Sequence, residues 1–286
     1  LRVLEKYGFD IKAIAGTIAG GLVGAVYAAG YSTEKIESTV KEMDKHRSFN
    51  RSPDDKPSLL GLSGITNKLS ELLNDRTFDD LEIPFAATAV SLHSGREIIL
   101  TKGKVIDAVL ATIAVPGVFP CKEIGGRVLI DGGVLDPVPV QVARWLRPEL
   151  PVVAVMLHKT PENWSADELP LPVPIPGPSS LVEHLQKLRP VQALKIFTRS
   201  VEVSSKHLSE LSIKLYQPEV LITPRVGQIG LLQNIDVETM IEEGIKATEE
   251  TINQIKDEAN WVKKIQRQVK NRIMPSEKPE IWGNLD

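Results

Sequence analysis

Residues 11–31, IKAIAGTIAGGLVGAVYAAGY, decide the fold class expected for this chain. They begin as a short apolar run, turn through GTIAG, and continue as a helix of small residues that Gly30 would end as a left-handed cap. A strand, a glycine-flanked turn and a helix form the frame of a nucleophile elbow, G-x-S-x-G. Position 18, where that motif has its serine, holds Ile18. Isoleucine has no proton to give up and no lone pair with which to attack.

The elbow needs small residues for a mechanical reason. Its middle residue sits in a strained turn, and its neighbours must let the strand and the helix approach each other. Gly16, Ala19 and Gly20 meet that need. Ile18 is a poor occupant of the centre, because a β-branched residue at positive φ carries strain of about 1–3 kcal/mol.

Two other interpretations of this stretch stay open. Residues 13–33 carry no charge and are long enough for a membrane span, and Gly16, Gly20 and Gly24 form a small-xxx-small stripe. Against a span, the run contains five glycines and few large apolar side chains at its centre. The stretch could also be a buried strand–helix unit with no site.

The composition is that of an ordinary globular protein. Of its 286 residues 42% are hydrophobic and 25% charged, which is enough chain for one large domain or two small ones. The net charge of −3 gives no sign of nucleic-acid binding. A single cysteine, Cys121, rules out an internal disulfide framework and a cysteine-based metal cluster. One free cysteine is compatible with a reducing cytosol. The location is not determined by the sequence, and a cytoplasmic or membrane-peripheral location is favoured.

Strand and helix patterns alternate along most of the chain. Helices are predicted over residues 1–7, 33–45, 65–73, 104–112, 139–146, 181–215 and 237–273, and strands over 85–90, 97–100, 128–130, 152–157 and 220–223. A loop is predicted over 47–64. This alternation predicts a mostly parallel sheet covered by helices on both faces.

Asp131 is the strongest polar candidate for a site. It follows a predicted strand directly and precedes Gly132 and Gly133. Ligands of open α/β sheets bind beyond the carboxyl ends of strands, and paired glycines leave a carboxylate accessible. The alternative is a turn aspartate that accepts hydrogen bonds from its own backbone.

Other chemically distinctive residues favour ordinary roles. The histidines show no metal-ligand spacing and are expected to be solvated or buried without a ligand; they are His46, His93, His158, His184 and His207. Cys121 is expected to be a bystander thiol. Residues 170–178, PLPVPIPGP, indicate a stiff connector or a docking segment. Residues 261–272 hold five basic residues and no acid, which suits a solvated helical face, a membrane surface or a partner.

Taken together, several motifs resemble the patatin-like phospholipases, specifically their compact bacterial branch. The matching stretches are GTIAGGLVGAVYAAGY, FDDLEIPFAATAVSLHSGREIIL, AVLATIAVPGVFP, VLIDGGVLDPVPV and LYQPEVLITPRVGQIGLLQNID. The resemblance spans about residues 1–250, with the motifs in the family's order and at its spacings. It implies a patatin-like domain over 1–250, incomplete at its N-terminus, and a helical extension over 251–286.

The resemblance implies a three-layer α/β/α sandwich with a mostly parallel central sheet that lacks its first strand. The family uses a Ser–Asp dyad without histidine, and it needs no cofactor or metal. Its aspartate corresponds to Asp131 of the D-G-G motif, and its nucleophile position to Ile18. Backbone N–H groups hold the oxyanion, one from Ala19 and others from a glycine-rich loop expected just before Leu1.

The function implied by this resemblance is that of a lipid acyl hydrolase, a serine esterase of the phospholipase A type. We expect a lipid or acyl ester substrate, no nucleic acid and a possible peripheral membrane contact; no oligomeric state is predicted. With Ile18 in place, and with Thr17 and Thr112 no evident replacements, we expect this copy to be inactive. Natural degeneration, engineering or a sequence error could each account for Ile18. The alternative is a non-catalytic member that binds acyl chains or a partner.

Overall fold

The computed structural model describes residues 1–46, 58, 60–157, 189–226 and 236–273. Its helices are α1 Arg2–Lys6, α2 Ala19–Ala28, α3 Thr33–His46, α4 Ser63–Leu73, α5 Val105–Thr112, α6 Val140–Leu146, α7 Arg189–Tyr216, α8 Val237–Glu258 and α9 Trp261–Ile273. Its strands are β1 Ile14–Gly16, β2 Phe85–Ser91, β3 Glu97–Leu100, β4 Lys122–Ile124, β5 Arg127–Asp131, β6 Val153–Val155 and β7 Val220–Ile222. Most of the predicted loop over 47–64, the proline-rich residues 170–178, His158 and His184 lie outside the described residues.

The main sheet is mixed, which corrects the expectation of a mostly parallel sheet. Strand β1 runs parallel to β2, whereas β3 and β5 run antiparallel to β2, and β4 runs antiparallel to β5. Two tight turns account for the β2–β3 and β4–β5 pairs, since short hairpin connections force neighbouring strands to run in opposite directions. One turn contains Gly95 and the other Gly125 and Gly126, all at positive φ. Strand β4, which the sequence patterns did not predict, belongs to the second hairpin. Strands β2 and β5 are not joined by a hairpin, because β3, α5 and β4 lie between them in the chain.

Helices cover both faces of this sheet. On one face, α2, α4 and α5 form the largest core with alternate residues of β2, such as Phe85 and Ala87. On the other face, Val142 of α6 packs on Ala86 and Ile99. Alternate residues of a strand point to opposite faces, so β2 is buried on both sides. The predicted α/β class, with a layer of helices on each side of a sheet, is therefore confirmed.

A second, two-stranded sheet is formed by β6 and β7, which are parallel. Val220 and Ile222 of β7 pack against α1 and α8, where Val3 and Ile252 are buried. Helix α8 passes through residue 250 without a break, so the expected division there falls within one continuous helix. That division stays a prediction.

Helix α2 is ten residues long and follows a strand. None of the helices in the described part of the chain has the length and hydropathy needed to cross a bilayer.

Candidate active site

The turn between β1 and α2 has the backbone geometry of a strained elbow. Strand β1 ends at Gly16, α2 begins at Ala19, and Ile18 lies between them at φ 52° and ψ −118°. Positive φ is rare for a β-branched side chain and costs about 1–3 kcal/mol. The structure therefore places Ile18 in the conformation that the elbow motif requires of its central residue.

Close approach of α2 to β1 depends on Gly16, and close approach of α2 to α5 depends on Gly21. A Cβ at Gly16 would lie 2.3 Å from the carbonyl oxygen of Gly20, and a Cβ at Gly21 would lie 2.6 Å from Cγ2 of Thr112. A Cβ at Gly20 would meet nothing within 4 Å. The motif predicts that Gly20 must be small, but Gly20 and Ala19 lie on the exposed side of the first helical turn. The residue that must be small is instead the next one, Gly21.

Buried threonines hold the elbow in place. The N–H of Ile18 donates to Oγ1 of Thr112 at 3.1 Å, and Thr112 is fully buried. Oγ1 of Thr17 donates to the carbonyl of Asp136 at 3.0 Å. Because a hydroxyl has only one proton to donate, Thr88 is the donor in the 2.7 Å hydrogen bond between Oγ1 of Thr88 and Oγ1 of Thr17. The hydroxyl of Thr17 is buried and already donates its proton, so it does not stand in for the missing nucleophile.

Asp131 reaches the elbow because β1 and β5 share one edge of β2. In the register, Gly16 is opposite Ala87 and Asp131 is opposite Ala89, while β3 pairs with the other edge of β2 over the same residues. Strand β1 is parallel to β2 and β5 is antiparallel to it, so their carboxyl ends meet head to head. The strand order brings together two residues that are 113 positions apart in the sequence, Ile18 and Asp131.

The glycines after Asp131 close the gap between the two residues. A Cβ at Gly133 would lie 3.0 Å from Cδ1 of Ile18 and 3.2 Å from each carboxylate oxygen of Asp131. Because these distances start from one point, Cδ1 and the carboxylate oxygens lie within about 6 Å of each other. A Cβ at Gly132 would lie 2.1 Å from Oγ1 of Thr88, so only glycine lets this turn pack on β2.

Burial sets the electrostatics of Asp131. Asp131 has 3% of its surface exposed, and burial raises the pKa of its carboxyl to about 7. The N–H of Gly133 donates to Oδ1 at 2.7 Å and opposes this rise in pKa only in part. Asp131 therefore makes the backbone hydrogen bond of a turn aspartate, and it also lies beside the elbow.

Burial raises the pKa of two further carboxyl groups, and sequence patterns gave no sign of them. Burial raises the pKa of Asp136 to about 6, although Ser212 of α7 and the N–H of Val138 donate to it. Burial, followed by the charge of Asp136, raises the pKa of Glu97 to about 7. The backbone carbonyl of Asp136 accepts the hydrogen bond from Thr17 beneath the elbow.

The remaining candidates do not join the site. His93 and His207 are exposed, and Cys121 is a partly buried free thiol. Within the described ranges, no group of three or more histidine, cysteine or acidic side chains could hold a metal ion.

The site therefore combines an α/β sheet covered by helices with a strand–turn–helix elbow beside the buried aspartate of a D-G-G turn. The profile of the family described as "Patatin-like phospholipase" matches residues 1–144, half of the chain. The chain belongs to the patatin-like phospholipase family.

Curated relatives agree with this assignment. An uncharacterized NTE family protein of Mycobacterium tuberculosis is 31% identical over 173 residues, 59% of this chain and 47% of the relative. A second such protein of that organism is 26% identical over 247 residues, 84% of this chain and 41% of the relative. Patatin-like phospholipase domain-containing protein 7 of Rattus norvegicus is 27% identical over 151 residues, 50% of this chain and 11% of the relative. The chain spans about half the length of the first of these relatives and a smaller share of the other two.

Proposed function

We propose that the elbow and Asp131 form a lipid acyl hydrolase site of the patatin type, which does not turn over in this chain because Ile18 occupies the nucleophile position. The observation that carries the proposal is the backbone of Ile18. A backbone at φ 52° is energetically unfavourable for an isoleucine, but it is the conformation that would present a nucleophile at this turn.

The chemistry proposed for a serine at position 18 is an acyl transfer. Its Oγ would attack the ester carbonyl while its proton passes to the carboxylate of Asp131. The ester C–O bond would then break as Asp131 returns the proton to the leaving alcohol, and water would hydrolyse the acyl-enzyme in the same way. The N–H of Ala19, the first residue of α2, would donate to the oxyanion, since first-turn N–H groups lack intrahelical acceptors. The pKa of Asp131, raised to about 7, suits a general base near neutral pH.

The test is hydrolysis of p-nitrophenyl esters by matched variants. We expect the unmodified chain to match a buffer control. Ile18→Ser should hydrolyse the esters above the buffer control, because the N–H of Ala19 supplies an oxyanion donor, and one such donor is worth roughly 10²–10³ in rate. Adding Asp131→Asn to Ile18→Ser should abolish that activity. Strong turnover by the unmodified chain that persists after Asp131→Asn would refute the proposed dyad.

Acyl-chain binding without turnover is the second function we propose, and one observation favours it. The side chain of Ile18 adds apolar surface within about 6 Å of the Asp131 carboxylate, whose raised pKa leaves it partly neutral at pH 7. Such a site suits an uncharged acyl chain better than an ionic ligand. Binding of a fluorescent fatty acid should weaken on Ile18→Asp and persist in Ile18→Ala. Equal binding by both variants would place the ligand elsewhere.

A further inference from the structure

Helix α9, Trp261–Ile273, is attached to the rest of the protein by its polar face. Arg267 is the anchor: its side chain is 13% exposed, it pairs with the Glu258 carboxylate at 3.0 Å, and it also donates to the Glu258 carbonyl. Nδ2 of Asn271 donates to the carbonyl of Pro148, in the segment after α6. These contacts fix which side of the helix faces the protein.

The opposite side of α9 is apolar and exposed. Five large side chains project there with 43–75% of their surface exposed; they are Trp261, Val262, Ile265, Val269 and Ile273. At 100° per residue their positions fall within an arc of about 120°. An amphipathic helix of a globular protein normally turns such a stripe toward the core. Here the arrangement is reversed, so the stripe is available to something outside the described residues.

Basic side chains lie beside and within this stripe. At 100° per residue, Lys264 and Lys270 lie about 60° outside its two edges, whereas Arg272 lies inside the arc, between Trp261 and Ile265. Lys264, Lys270 and Arg272 are exposed, and α9 contains no acidic residue. The other two bases of the helix, Lys263 and Arg267, pair with Glu258. The helix is therefore strongly positive in a chain whose net charge is −3. An apolar stripe with cationic borders complements a surface that is negative at its boundary and apolar just beneath it.

We propose that α9 is an interfacial membrane anchor that lies on an anionic lipid bilayer with its apolar stripe in the headgroup–acyl boundary. Trp261 suits that boundary, because indole combines an apolar ring with an N–H that can stay hydrated. A second copy of α9 would bring two sets of bases together, and like charges oppose such pairing. This proposal goes beyond the site chemistry, and it holds whether or not that site is active.

The experiment is flotation of the full chain with vesicles of phosphatidylcholine alone or mixed with phosphatidylglycerol. We expect binding to the anionic vesicles only, weakened by salt. Lys264→Glu/Lys270→Glu/Arg272→Glu should lower the partition coefficient by about 100-fold or more, since each base near the surface contributes about a fivefold factor. Ile265→Ser/Val269→Ser should lower it at least about tenfold.

Matched controls use exposed residues elsewhere in the protein. Lys35→Glu/Lys102→Glu/Lys246→Glu makes the same change of charge, and Leu92→Ser removes an exposed apolar side chain; both should change binding by less than threefold. The salt dependence of the unmodified chain tests the idea without any variant. Failure to bind anionic vesicles, or equal losses in the α9 and control variants, would overturn the proposal. A dimer in sedimentation that Ile265→Ser/Val269→Ser dissociates, without vesicle binding, would assign the stripe to self-association instead.

Discussion

Replacement of Asp131 by asparagine should stabilise the protein at alkaline pH far more than at acidic pH. Burial raises the pKa of this carboxyl from 3.8 to about 7 in the folded state, so between these values the native protein binds the proton more tightly than the unfolded chain does. The contribution of Asp131 to the free energy of unfolding is then greatest below pH 3.8, and this contribution is lost as the pH rises through 7. At 1.36 kcal/mol per pKa unit, the full loss is about 4 kcal/mol.

Asparagine removes this loss and keeps an oxygen for the N–H of Gly133. Between pH 5 and pH 8, the linkage relation predicts that the free energy of unfolding of the unmodified chain falls by about 3 kcal/mol. The variant should not show this fall. Urea unfolding across pH 5–8 would measure the difference in unfolding free energy between the two proteins at each pH.

The control is Asp257→Asn, which removes the same charge from an exposed position in the last turn of α8. Because this side chain is exposed, its replacement should not reproduce the gain in unfolding free energy expected for Asp131→Asn. If the difference in unfolding free energy between Asp131→Asn and the unmodified chain stayed the same from pH 5 to pH 8, the carboxyl would not be buried beside the elbow as the structure places it.

Gly16→Ala should destabilise the protein by about 2–4 kcal/mol in urea unfolding, because its Cβ would overlap the carbonyl of Gly20, whereas Gly20→Ala should be neutral or slightly stabilising. Thr112→Val should cost about 1–3 kcal/mol by leaving the N–H of Ile18 without its acceptor; Thr112→Ser should cost less, and equal costs would contradict this role. Glu97→Gln should raise the melting temperature at pH 8 more than at pH 5, since burial raises the pKa of Glu97 to about 7; a rise independent of pH would count against it.

Much of the fold could be predicted because its signals are local. The apolar run, the small residues around position 18 and the positive φ of Gly30 produce the strand, elbow and capped helix in the expected order. Asp131 was found in the same way, since a strand followed by D-G-G is a local pattern. The strand directions were predicted wrongly, because the antiparallel pairing of β5 with β2 joins segments far apart in the chain and the second hairpin depends on two glycines that no apolar alternation marks.

The sequence by itself determined the family, the elbow frame, the absence of a hydroxyl at position 18 and the positive charge of α9. Only the tertiary structure decided that β1 and β5 meet on one edge of β2 and so bring Ile18 to Asp131. It also decided that Gly21 rather than Gly20 lets the helix approach, and that the apolar stripe of α9 faces away from the protein. The physical reason is the same in each case: periodicity and turn chemistry act over a few residues, whereas register, burial and helix orientation are set by contacts between segments far apart in the chain.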